Sequence, residues 1–140
     1  MIPLLQTVLP ETIREQTPDA EALAFLNHLR FMAMQCRAKP QAELFKACAL
    51  LQITSTANQA AHSEALVRCL SQALGQPAKL LAPGTAELTF DEQWLIQLGT
   101  ACATGDDLSR AFLLRSRVGR ENRRLINFLV ARIVYCFSLN

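Results

Sequence analysis

Apolar residues recur along this chain every three or four positions, the spacing that collects side chains on one face of an α-helix. Between Thr17 and about Ala38, the residues Leu23, Phe25, Leu26, Leu29 and Met32 build a broad apolar face. The start of that helix is marked by Thr17 at the capping position, Pro18 at the first helical position, and Asp19 and Glu21 in the first turn. Upstream, Ile2, Leu5, Val8, Leu9 and Ile13 share one side of a short helix or turn that Pro10 interrupts. Pro40 permits a second start, with Leu44, Phe45, Ala47, Cys48 and Leu51 facing inward. The run Ile53-Thr54-Ser55-Thr56 weakens it, because hydroxyl side chains compete for backbone hydrogen bonds.

A third helix is predicted from about Ala57, carrying Ala61, Ala65, Leu66, Cys69, Leu70 and Ala73, and ended by Gly75 with Pro77 behind it. Residues 75–88 hold Gly75, Pro77, Pro83 and Gly84 and form a linker short enough to cross one domain's surface. Thr89-Phe90-Asp91-Glu92 spells a capping box, in which Thr89 and Glu92 each satisfy the other's free amide. The helix it opens contains Trp94, Leu95, Leu98 and Cys102 and stops at Gly105. Asp106 or Asp107 caps a fifth, with Leu108, Ala111, Phe112, Leu113 and Leu114. Gly119 separates it from a sixth, about Arg120 to Phe137, since residues 119–124 carry no large apolar side chain.

This last helix is apolar on nearly every side: Leu125, Ile126, Phe128, Leu129, Val130, Ile133, Val134, Tyr135 and Phe137. Such a helix sits centrally in a bundle or is covered by another subunit. The pattern as a whole predicts an all-α fold, one domain over residues 1–140. It is a compact bundle of five or six helices with the apolar C-terminal helix at or near the centre. Glu21-Ala22-Leu23 returns as Glu64-Ala65-Leu66, a spacing found in paired-helix solenoids. Ala and Leu are so abundant here that coincidence accounts for it.

Composition agrees with this reading. At 140 residues the chain can bury a core without metal or disulfide staples. Its residues are 51% hydrophobic and 19% charged, rich in apolar side chains for a helical monomer, which favours burial against a partner or a second copy. Cys36, Cys48, Cys69, Cys102 and Cys136 are odd in number and fall in no ligand spacing. They are expected to act as small hydrophobes in a reducing, cytoplasmic compartment. The N-terminus lacks the basic region and small-residue cleavage site of a secretion signal. The longest apolar stretch, residues 125–139, contains Asn127 and Arg132 and is too short for a bilayer. No membrane partner is expected.

The chemistry is sparse. His28 lies between apolar neighbours and His62 beside Ser63, neither with a second metal ligand one turn away. No nucleophile elbow, phosphate-binding loop or dinucleotide motif occurs. The acidic pairs Asp91/Glu92 and Asp106/Asp107 stand at helix starts, where capping and the helix dipole explain them. No catalytic group, metal or cofactor is expected.

One segment asks for more. The net charge is +2, but residues 106–140 hold seven arginines and three acids, and the rest of the chain is net negative. Arg120, Arg123, Arg124 and Asn127 share a helix face, as do Arg110 and Arg117. Guanidinium groups near a helix N-terminus, together with its free amides, would hold an anion. Leu114, Val118, Gly119, Leu125 and Phe128 stand at spacings that resemble a helix-turn-helix. Arg115 departs from that pattern, replacing a small residue four before the turn glycine, and Arg120 replaces an apolar one.

These residues point to a non-enzymatic regulatory or adaptor protein working through helix-mediated protein contacts, with self-association into a homodimer as one form of that contact. The alternative is a DNA-binding regulator using the arginine-rich segment near residues 108–132. Aromatic residues are not expected to interleave with these arginines, so no single-strand stacking is foreseen.

Overall fold

Helices form where the apolar spacing places them, and their ends follow the local chemistry. The computed structural model describes residues 19–38, 59–135, 137 and 139. The expected elements before Asp19 and between Pro40 and Thr56, including Thr17 and Pro18, lie outside the described residues. Five helices occupy the rest: α1 (Ala20–Ala38), α2 (Gln59–Leu74), α3 (Phe90–Thr104), α4 (Asp107–Arg117) and α5 (Arg120–Val134). There is no strand among the described residues, so the fold is all-α.

The boundaries have visible causes. Asp19 Oδ1 accepts the Ala22 amide at 2.8 Å, capping the first turn of α1. At the end of α2, Gly75 turns left-handed at φ +76°, and the Gln76 amide reaches back to the Ser71 carbonyl, a Schellman closure. The capping box of α3 is complete, and Gly105 closes that helix at φ +72°. Asp106 caps α4. Val118 is extended, which breaks α4 from α5 at the predicted place.

Helix α5 packs along α2 and α3, and α1 lies across the same two helices. Phe25, Leu29, Leu66, Leu70, Leu95, Leu98, Ile126, Leu129 and Ile133 are fully buried and meet in one core. Each contributes about 1.5–3 kcal/mol relative to exposure. Gly99 lets α3 come close: a Cβ there would stand 3.0 Å from Phe25 and 3.1 Å from Val134. The C-terminal helix is central, as its composition implies. Its outer side nevertheless leaves Phe128 and Tyr135 exposed. Helix α4 is the outlier, leaning on α3 and barely touching α5.

Segment 75–89 has no regular structure but is tightly held. Ala82 to Thr85 form a turn closed at 3.2 Å, with Pro83 inside it and Gly84 at φ +88°, the type II arrangement. The Lys79 amide donates to Asp91 Oδ2, the Leu81 amide to Glu92 Oε2 and the Gly84 amide to Asn27 Oδ1.

Candidate functional site

The anchor of that segment is Arg30, a lone cation in the apolar face of α1. Its side chain is completely buried, as is that of Glu92. Nε donates to Glu92 Oε2 at 2.7 Å and Nη2 to Oε1 at 2.9 Å, a bidentate pair. The remaining donors reach Asn27 Oδ1 and the carbonyls of Thr85 and Glu87. All five guanidinium N–H groups are therefore used, as burial of a charge demands. Glu92 also accepts the Thr89 amide at 2.9 Å, so one carboxylate serves the helix cap, the loop and the ion pair together. Burial works to raise the Glu92 pKa, but hydrogen bonds from Arg30, Leu81 and Thr89, with the Arg30 charge, outweigh it and hold the group below its ordinary value. This cluster is structural: every polar atom is spent on protein.

A second polar pair joins α1 to α2. His28 Nε2 lies 2.7 Å from Ser63 Oγ. The spacing would suit a nucleophile and its base, but Ser63 is fully buried and no carboxylate orients the imidazole among the described residues. Burial lowers the His28 pKa, which keeps the ring neutral as a hydrogen-bonding staple between helices. Among the described residues, no group of three or more His, Cys, Asp or Glu is placed to hold a metal ion. Cys36, Cys69 and Cys102 are free thiols, and burial pushes the Cys36 and Cys102 thiols up.

The six residues proposed for anion or partner binding divide in two. Arg117 is mostly buried: Nη1 stands 2.7 Å from Asp91 Oδ1, and the guanidinium lies 4.9 Å from the Phe90 ring and 5.5 Å from Trp94. That N–H is not aligned on the carboxylate, so the contact is ionic rather than a directed hydrogen bond. Arg110 pairs with Asp107 at 2.7 Å, and its charge also bears on Cys102. Arg123 donates from Nε to the Val118 carbonyl at 2.8 Å, satisfying an orphan acceptor where α4 ends. Asn127 Oδ1 lies 3.9 Å from Cys102 Sγ, a weak thiol contact between α5 and α3. Only Arg120 and Arg124 face solvent with no partner among the described residues. Sequence spacing gathered all six; packing separates them.

Two exposed surfaces stand out among the described residues. On α4, Leu108 is 86% and Phe112 63% exposed, one helical turn apart. Both line an open groove of about 590 Å³ between α3 and α4, together with Ile96, Thr100, Ala101 and Leu113. Asp106 stands at its rim, held below its ordinary pKa by the hydroxyl and amide of Ser109. At the C-terminal end of α5, Arg132 and the C-cap residue Tyr135 extend the outward face begun by Arg120 and Arg124, and neither is among the anion-binding candidates of the sequence. The available signal was helical spacing, Arg132 at a multiple of four residues from Arg120 and Tyr135 three beyond it.

No helix among the described residues is long and apolar enough to cross a membrane. No protein-family model, curated protein or solved structure matches the chain.

Proposed function

We propose that this is a non-enzymatic regulatory or adaptor protein that works through helix-mediated protein contacts, closing first on a second copy of itself. The observation behind this reading is the α3–α4 face. It carries a largely apolar groove whose walls include the exposed side chains of Leu108 and Phe112. A twofold interface packs one surface against its own copy, so an exposed apolar face meets its like. An amphipathic helix presenting anchors one turn apart is what such grooves receive, and α4 is one. Exposing Leu108 and Phe112 to water without a partner is unfavourable by about 1.5–3 kcal/mol each, which association recovers. A reducing, cytoplasmic setting belongs to the same reading, on the strength of the free thiols.

Protein contact is placed ahead of duplex DNA because Arg117 and Arg123, two of the five arginines among the anion-binding candidates, are turned inward. The test is sedimentation velocity over a concentration series, with Leu108→Lys and Phe112→Ser as the disrupting pair. The wild-type chain should sediment as a dimer. The double variant should be monomeric with an unchanged circular dichroism spectrum, since both side chains are exposed. A photo-crosslinker at position 112 should give an adduct of twice the chain mass. A monomer at every concentration removes the homodimer, and the absence of any adduct specific to position 112 removes the protein-contact reading altogether.

A further inference from the structure

Arg120, Arg124, Phe128 and Arg132 stand at steps of four residues on α5, and Tyr135, three further on, is its C-cap in a helical conformation. At 100° per residue they fall within about a third of the helix circumference and run about 22 Å along it. All five are exposed, Phe128 at 45% and Tyr135 at 88%. The three guanidinium groups form no ion pair or hydrogen bond among the described residues, unlike Arg30, Arg110, Arg117 and Arg123. Glu121, the only carboxylate of α5, lies back over Gly119 and off this line. One edge of Phe128 rests near His62, with ring centroids 5.8 Å apart, and the remainder is open. Cations and aromatic rings thus alternate along one bare strip.

We infer that this strip binds single-stranded nucleic acid, the arginines pairing with phosphates and Phe128 and Tyr135 stacking on unpaired bases. Charge complementarity calls for a polyanion, and the interleaved rings call for one that offers flat apolar faces beside its charges. Duplex DNA offers phosphates but keeps its bases stacked. The opposite side of α5 buries Ile126, Leu129, Val130, Ile133 and Val134. An anionic membrane would take a helix with a contiguous apolar side. Here Phe128 is the strip's single wholly apolar group, enclosed between Arg124 and Arg132. The inference uses a different face from the α3–α4 contact and stands or falls independently of it.

Fluorescence anisotropy of the full chain with a labelled oligothymidylate of about twenty residues tests it. Binding should weaken about 20-fold as salt rises from about 50 to about 200 mM, as expected for about three phosphate contacts on a single strand. Tyr135→Ala should weaken it by about fivefold or more through lost stacking. Arg124→Glu with Arg132→Glu should abolish it, and both variants should keep the wild-type circular dichroism spectrum. A duplex of equal length should bind at least about tenfold more weakly than the single strand, because its bases are closed to the rings. Absence of binding at low salt overturns the inference. So does equal or tighter binding of the duplex, an unchanged affinity for Tyr135→Ala, or stronger binding to phosphatidylserine vesicles than to the oligonucleotide.

Discussion

Arg30 on α1 and the three outward arginines of α5 carry the same chemical group in opposite circumstances. Arg30 is isolated in sequence among Leu29, Phe31 and Met32, yet all its donors are matched and it is wholly shielded from water. Arg120, Arg124 and Arg132 sit in the most cationic part of the chain and meet no acceptor among the described residues. A buried guanidinium must be compensated where it stands, so its partners come from its own helix and from residues 55 to 62 positions further along the chain. An exposed one is compensated by water and counterions and keeps its capacity to bind. Local density of charge therefore says little about which cations hold the fold. Arg117 and Arg123, members of the dense cluster, belong with Arg30 in this respect.

The strongest way to break the comparison is Arg30→Met. It strands the Glu92 carboxylate in the interior and releases the Thr85 and Glu87 carbonyls, for a loss of about 3–5 kcal/mol by urea denaturation. Near-wild-type stability would show the pair to be dispensable.

Acid titration perturbs the same network without mutation. Glu92 has its pKa held below the ordinary 4.5 in the folded chain, so its contribution is present above that value and is lost as pH falls through the folded pKa. His28 is lowered from 6.5, so the unfolded chain takes up its proton first and stability begins to fall below that pH. The urea midpoint should decline in two stages on acidification, and His28→Gln should remove the upper one.

Arg117→Ala is intermediate. It removes the cation beside Asp91, which keeps only the Lys79 amide among the described residues, and takes the guanidinium off the Phe90 and Trp94 rings, for about 1–3 kcal/mol. At the other extreme, Arg120→Ala, Arg124→Ala and Arg132→Ala should each shift unfolding by less than about 0.5 kcal/mol. A larger change in any of them would give that arginine a structural partner.

How much of this was legible beforehand follows from the range of each interaction. The turn at Gly75, the capping box at Thr89 and the break at Gly119 rest on residues within a few positions of one another, and they appear where the sequence places them. Arg30 and Glu92 lie 62 residues apart, and no local pattern couples them. Glu92 read only as a cap, because the capping box already explained it. His28 and Ser63 were separated in the same way, by 35 residues. At the candidate site, spacing correctly gathered arginines onto helix faces but could not tell which way each face turns. Leu108 and Phe112 show the converse, apolar residues at helical spacing that the bundle leaves outside. The alternation of Arg124, Phe128, Arg132 and Tyr135 was readable, but the apolar run around it drew those rings into an imagined core.

Exchange of the arginine Nε–H protons with solvent, followed by nuclear magnetic resonance at constant pH, tests the division of arginines most directly. The Arg30 signal should persist far longer than any other, those of Arg117 and Arg123 should be intermediate, and those of Arg120, Arg124 and Arg132 should exchange at the rate of free arginine. Rapid exchange at Arg30, or protection of the α5 trio equal to it, would contradict the account.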